Sequence, residues 1–327
     1  MRVLVCGGAG YIGSNMTAKL KAAGHEPVVF DNLSKGHKSA IRDTEFVKGD
    51  LADSHLLVET LEKFDIEAVM HFAAFIEVGE SVQAPLKYYR NNLSCTENLL
   101  SAMETASVEK FVFSSTAAVY GVPKNIPITE DSPTEPINPY GQTKLAVERM
   151  CHYQSRAGKL TFASLRYFNT CGAGNNGSLG EDHRPESHLI PLAIQAAMGK
   201  RGDIKIYGTD YDTPDGTCIR DYIHIDDLCG AHLLALEKLQ TERELIYNLG
   251  NGKGYSVREV IETVRNITGK NFKVVEAERR LGDPSLLTSD ATRAFKELGW
   301  KTEKPDLEQM VSTAWKWHSN HPNGYPD

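Results

Sequence analysis

Long apolar runs, an excess of basic residues and paired cysteines are all missing from this sequence of 327 residues. No apolar stretch approaches the ~18 residues that cross a bilayer, and the apolar start at residues 1–6 is too short for the core of a signal peptide. Acidic side chains outnumber basic ones by 43 to 36, a formal charge of −7. A large surface neutralising nucleic-acid phosphates or anionic lipids is therefore excluded, although a pocket for one phosphorylated small molecule is not. The six cysteines, Cys6, Cys95, Cys151, Cys171, Cys218 and Cys229, contain no C-x-x-C pair and several sit in apolar stretches. That is the pattern of buried thiols in a reducing compartment. Internal repeats and low-complexity segments are absent too. The expectation is a cytoplasmic protein with no membrane or nucleic-acid partner, long enough for two domains or for one large domain carrying a smaller one.

What is present is concentrated at the start. The apolar run Val3, Leu4, Val5 and Cys6 enters a turn in which Gly7, Gly10 and Gly13 fit G-x-x-G-x-x-G, while Gly8, Gly10 and Gly13 fit G-x-G-x-x-G. A helix is predicted over residues 11–23, so the turn has the strand-turn-helix setting of a dinucleotide site. Glycine there lets backbone N–H groups approach a pyrophosphate, and the helix start adds partial positive charge. Asp31 ends a second predicted strand, 18 residues after Gly13, close to the ~20 expected of a carboxylate that binds a ribose 2′-hydroxyl. An acid there repels a 2′-phosphate, so NAD is favoured over NADP, with Lys35 and Lys38 nearby as groups that would still accept one.

Further strands are predicted at residues 45–48, 66–71, 110–114 and 160–167, separated by helices. This alternation is that of a Rossmann-like, doubly wound parallel sheet. Asp50 stands where the third strand ends, placed either to accept from an adenine amino group or to cap the helix near residues 54–64. Phe72, Ala73 and Ala74 follow the fourth strand, and small residues there let a cofactor pass near the backbone. Residues 81–106 read as one long helix containing Pro85, Asn91 and Asn92, and another helix runs from Pro139 to about Arg156. Beyond residue 168 the texture changes to glycine-rich loops, and residues 219–239 read as a strand and helix returning to the first domain. The expected division is an NAD-binding part at 1–168 plus about 217–245. A smaller, interleaved α/β substrate-binding part takes about 169–216 and 246–327.

Tyr140 and Lys144 are four apart on one helical face, near Thr116 at the end of the fifth strand. A free tyrosine, with a pKa of ~10, is a poor base at neutral pH. An ammonium one turn away and a positive nicotinamide ring both favour the phenolate. Tyr140 would then take a proton from an alcohol whose carbon gives hydride to the cofactor, with the Thr116 hydroxyl holding the alcohol oxygen. Tyr120 and Lys124 share the spacing but have Gly121 and Pro123 between them, so they cannot align on a helical turn.

The glycine turn, Asp31, Ser114-Ser115-Thr116 and the Tyr140/Lys144 pair together resemble the extended short-chain dehydrogenase/reductases that act on nucleotide sugars. In the second half, Arg166 to Asn169, Gly180 to His183, His188 to Pro191, Ile206 to Thr217 and Arg220 to His224 resemble the UDP-glucose 4-epimerases of that family. The resemblance covers nearly the whole chain, and residues 208–224 are its most specific run. It implies reversible 4-epimerisation of UDP-glucose and UDP-galactose, through a transient 4-keto sugar and enzyme-bound NADH, with NAD regenerated each turnover. By the same resemblance Tyr11, Ile12, Asp31, Asn32, Asp50, Leu51, Phe72, Ala73, Ala74, Asn91, Lys144 and Phe168 match cofactor positions. Asn169, Leu189, Tyr207, Arg220, Arg280 and Asp283 match positions for uridine and diphosphate. Arg220 and Arg280 suit a fork on a pyrophosphate, which lysine would not reproduce. A homodimer through the helices at 81–106 and 140–156 is implied as well.

The chain departs from the family pattern in four places. Thr116 replaces a serine of the best-known members, and Ile76 replaces a cofactor-contacting lysine of some. His188 stands where some have a substrate-binding asparagine, and Leu287 stands where the residue beside the sugar C2 substituent leaves N-acetyl sugars in question. A 4,6-dehydratase would need an acid/base pair where Ala117 and Ala118 follow Thr116. A 4-epimerase of UDP-xylose/arabinose or UDP-glucuronate stays open, and a non-catalytic NAD-binding regulator would not need Tyr140 and Lys144. No metal site is expected: His318 and His321 read as exposed tail residues without a third ligand. Arg201-Gly202-Asp203 reads as a turn, and the helix ending in Trp315 and Trp317 as packing.

Overall fold

The computed structural model describes residues 1–280 and 283–326. Strand β1 (Arg2–Cys6) is buried from Val3 onward, and its side chains divide by the two-residue period of a strand. Val3 and Val5 enter one apolar layer, while Leu4 and Cys6 enter the other. A strand buried on both faces belongs in the middle of a sheet covered on both sides. Here β1 pairs in parallel with β2 (Glu26–Asp31) and β4 (Ala68–His71). Outside them lie β3 (Glu45–Lys48), β5 (Lys110–Thr116), β6 (Thr161–Tyr167) and a late strand, β10 (Glu244–Leu249), completing seven parallel strands in the order β10-β6-β5-β4-β1-β2-β3.

Helices Tyr11–Ala22 and Ile225–Lys238 cover one face through Met16, Leu20, Leu228 and Leu236. Helices Ser54–Lys63, Cys95–Thr105 and Pro139–Arg156 cover the other through Leu57, Leu61, Leu99, Met103 and Val147. Strand order reverses between β1 and β4, so the crevice for a ligand opens outside the carboxyl ends of these two strands.

A smaller region builds on β9 (Ile219–His224), flanked by β7 (Asn169–Cys171), β11 (Gly254–Ser256) and β13 (Leu286–Leu287); β8 (Ile204–Tyr207) pairs separately with β12 (Val274–Ala277). Ile190 and Ile194, Val260 and Val264, and Met310 and Val311 come from three helices that pack into its core. Strand β9 thus pairs within the smaller sheet, while the helix after it packs on the large sheet and β10 joins it. Buried Asp221 holds β9 where it is, accepting from the N–H groups of Asn251, Gly252 and Ser289 and from the Ser289 hydroxyl.

The long helix expected over residues 81–106 is broken. It consists of Val78–Gln83, Pro85–Tyr88, a wide π turn at Tyr89–Ser94, and Cys95–Thr105. Ala84 takes φ −131°, ψ 61°, because the ring of Pro85 disfavours a helical residue before it. Inside the π turn Asn92 is buried and clamps the backbone of Phe75, accepting from its N–H and donating to its carbonyl, each at 2.9 Å. His318 and His321 are half-buried rather than exposed, both against Trp317, with the His321 ring stacked 5.1 Å from it. Trp317 itself is buried, as packing requires. The side chain of Arg201 folds back to the Asp203 carbonyl in a turn. No described helix is long and apolar enough to cross a membrane, and all six cysteines are free thiols.

Candidate active site

A cavity of about 360 Å³ opens at the reversal of strand order, a size that suits small-molecule sites. Its floor is the glycine turn, with Gly7, Gly10, Tyr11, Ile12 and Gly13 in the wall. Gly7 has φ +77°, and a Cβ there would lie 2.5 Å from the N atom of Ala73; at Gly13 a Cβ would lie 2.1 Å from the Gly7 carbonyl oxygen. Any side chain would force the turn open. The helix behind starts at Gly10 with no side-chain cap and no acid in its first turn, so its leading N–H groups remain available to an anion.

Asp31 is buried where β2 ends. Each carboxylate oxygen takes one backbone N–H, from Ala9 at 3.0 Å and from Leu33 at 2.8 Å. Further lone pairs are left for ribose hydroxyls. Burial raises its pKa, with the two N–H groups acting against that. Asn32, Asp50 and Leu51 complete this side of the wall. Asp50 is not the helix cap that its position allowed: Asp53 caps by accepting from Leu56 N–H, while Asp50 accepts from Ala52 N–H and the Asn32 amide. Phe72, Ala73 and Ala74 follow β4, and Asn91 reaches the wall from the π turn.

Opposite the turn stand Thr116, Tyr140 and Lys144. Asn138 and Pro139 start the helix beneath them, Asn138 accepting from Gly141 N–H. The Thr116 oxygen accepts from Ala118 N–H at 3.1 Å. Burial pushes the Tyr140 phenol up, and the neighbouring Thr116 hydroxyl acts against that. Burial likewise pulls Lys144 down to about 7, opposed by the Glu148 carboxylate. Its ammonium donates to the Ser114 carbonyl at 2.7 Å and lies 4.8 Å from the centre of the Phe113 ring. Tyr120 has a different fate. Its hydroxyl donates to Asn248 and accepts from Arg166 inside the core, and Lys124 is exposed.

The remaining wall comes from Tyr167 at the end of β6 and from the segment after it: Phe168, Asn169 and His188, which the sequence singles out, with Glu181 and His183 in addition. Tyr167 shares a hydrogen bond with Ser114. Glu181 and His183 lie within the stretch 180–183 singled out for its resemblance, yet nothing in their spacing distinguishes a cavity wall from a polar loop. Burial opposes the charged forms of Glu181, His183, Glu186 and His188, and mutual attraction outweighs it. Both carboxyls are held low and both imidazoles high, His183 to about 9. Ile76 and Lys35 also reach the wall.

The other expected substrate residues lie off this cavity. Leu189 packs in the small-region core, and Leu287 packs with Phe168 against Val119, Tyr120, Ile128 and Leu145. Arg220 is ion-paired with Asp283, and the Arg280 guanidinium lies 4.0 Å from the centre of the Tyr207 ring. The Asp283 N–H donates to the Arg280 carbonyl at 3.3 Å, so both arginines meet one loop.

The model of the NAD dependent epimerase/dehydratase family matches residues 3–250. A UDP-glucose 4-epimerase of Halalkalibacterium halodurans is 51% identical over 326 residues, covering 99% of this chain and 98% of its own. The structure of the Brucella ovis UDP-glucose 4-epimerase in complex with NAD is similar at a TM-score of 0.94, with 49% identity over 96% of this chain and 97% of that one. The Bifidobacterium longum enzyme with NAD+ and UDP gives 0.95, with 38% identity over 99% and 100%. The matched residues span every strand of the large sheet and the whole Thr116–Tyr140–Lys144 wall, and the chain belongs to the NAD dependent epimerase/dehydratase family.

Proposed function

We propose that this chain interconverts UDP-glucose and UDP-galactose by inverting C4 of the hexose, with NAD kept at the glycine turn. The observation that carries the reading is the Tyr140 phenol, which lines one cavity with Thr116, Lys144 and Asp31. The glycines leave backbone room for a pyrophosphate and Asp31 keeps acceptor capacity for a ribose, so the residues fit the dinucleotide. Bound there, NAD supplies a reversible hydride acceptor for C4. Thr116 holds the 4-oxygen while Tyr140 takes its proton and later returns it. Lys144, tied to Ser114, is placed to carry positive charge beside the phenol as the phenolate forms. Arg220 and Arg280 are assigned to the diphosphate, with Asn169, His188, Leu189, Tyr207 and Asp283 around the nucleotide and sugar and Leu287 beside C2. Ala117 and Ala118, where a dehydratase would place its acid and base, form an apolar turn.

The nucleotide part is assigned to the large sheet and its helices, including 225–249, and the nucleotide-sugar part to the smaller region. Reduced, unpaired thiols favour a cytoplasmic setting. A homodimer is favoured by Val82, Leu86 and Tyr153, 61%, 69% and 72% exposed on helices that pack side by side, since apolar groups clustered on a surface mark contacts between proteins.

The test is to incubate the protein, purified without added nucleotide, with UDP-galactose and to follow the anomeric NMR signals. Conversion toward UDP-glucose without supplied NAD is the expected result. No conversion even with NAD added would overturn the glucose/galactose assignment and turn attention to pentose and uronic acid nucleotides.

A further inference from the structure

Glu181, His183, Glu186 and His188 place one ligand atom each within 4.8 Å of one another. Both imidazoles present Nδ1 to both carboxylates. Glu181 Oε1 lies 3.1 Å from His183 Nδ1 and 2.8 Å from His188 Nδ1, and the Glu186 oxygens lie 3.7 and 3.1 Å from the same two atoms. A tetrahedral zinc with bonds of ~2.0–2.1 Å has ligand atoms roughly 3.3–3.4 Å apart, and the four nitrogen–oxygen separations, two of them to different oxygens of Glu186, bracket that spacing.

Two arrangements neutralise a pair of buried carboxylates: two imidazolium ions, or one dication held by neutral imidazoles. They differ in where the nitrogens point. An imidazolium N–H aims at an oxygen, whereas a ligating lone pair aims between the oxygens at the metal. Nδ1 of His183 is closed off from solvent and has no hydrogen-bond partner, although a Glu181 oxygen is only 3.1 Å away. Its approach to that oxygen lies outside the angles of a hydrogen bond, as the second arrangement requires, whereas His188 Nδ1 hydrogen-bonds to Glu186 Oε1 at 3.1 Å and is the nitrogen that a bound ion has to draw away from its carboxylate.

We propose that Glu181, His183, Glu186 and His188 form a binding site for one divalent transition-metal cation, with zinc the ion that best suits two nitrogens and two oxygens. The site staples residues 181–188. Three of its ligands, Glu181, His183 and His188, belong to the cavity wall, and the His183 ring meets Tyr11 edge-on at 6.4 Å, so the metal sets the wall facing the glycine turn. Its role is positioning, and it stands whether or not the hexose assignment above holds.

The test uses untagged protein with its bound nucleotide, dialysed against EDTA, loaded with Zn²⁺ and separated from free metal by gel filtration. The native chain is expected to retain about one zinc and the double variant Glu186→Gln/His183→Gln under roughly a tenth of that, with loading raising the melting temperature of the native chain only. Should the variant fold poorly, Co²⁺ loading of the native protein is decisive alone. A tetrahedral visible band that Zn²⁺ abolishes supports the site. Unretained zinc, equal retention by native and variant, or a cobalt spectrum no stronger than that of the hydrated ion overturns it in favour of an imidazolium–carboxylate cluster.

Discussion

Lys144 and Ser114 are joined by a 2.7 Å hydrogen bond from ammonium to backbone carbonyl, which ties helix Pro139–Arg156 to the carboxyl end of β5. The bond fixes the helix register that carries Tyr140, and with it the distance from phenol to Thr116.

Tyr140→Phe removes the proton acceptor and leaves the ring. Turnover of UDP-galactose is expected to fall by about 10²–10⁴-fold, while UDP affinity, measured by calorimetry, changes little. A variant retaining full turnover would remove Tyr140 from the reaction.

Burial holds Lys144 at about 7 against 10.5 for the free side chain, so between those values the unfolded chain binds more protons than the native one. Stability then rises with pH through that window. Relative to Lys144→Met, nucleotide-stripped protein is expected to gain stability from about pH 7 to pH 10.5 and to show a constant difference below pH 7. Urea unfolding at fixed temperature across this range measures the gap; a flat profile would show that the ammonium is not desolvated.

Glu148 and Arg166 form a buried pair with N–O distances down to 2.6 Å, and Ser115 donates to the same carboxylate at 2.5 Å. Glu148→Ala strands the guanidinium in the core and is expected to cost about 3–5 kcal/mol. The double replacement Glu148→Met/Arg166→Met should cost less than the single one. Chemical denaturation of the set checks both statements.

Gly13→Ala drives a methyl into the Gly7 carbonyl. The expected outcome is loss of co-purified nucleotide together with about 1–3 kcal/mol of stability, read from ultraviolet absorbance released on acid precipitation and from thermal melting. Full retention of nucleotide would show that the turn tolerates a Cβ.

Most of the residues proposed to hold the nucleotide were picked out from the sequence, and they line one cavity. Gly7, Gly10, Gly13, Asp31 and the Tyr140/Lys144 pair are set by local geometry: a turn too tight for a Cβ, a strand end, and one helical turn. The broken helix at Ala84 and Pro85 was half legible, since the proline is visible but the π turn after it depends on Asn92 reaching Phe75, seventeen residues away. The choice between Asp50 and Asp53 as helix cap turned on which carboxylate the chain brings onto Leu56 N–H.

By itself the sequence determined the parallel sheet, the tight glycine turn and the one-turn spacing of Tyr140 and Lys144, because strand alternation, glycine geometry and helical spacing operate over a few residues. Only the tertiary structure decided that β9 sits in the smaller sheet, that Lys144 rests on Ser114, that Arg220 pairs with Asp283, and that Glu181, His183, Glu186 and His188 converge at the cavity wall. Three of those four are contacts between segments 30 or more residues apart, and the fourth is a fold of an irregular loop. Neither kind has a period in the chain, so each is settled by what packs against it.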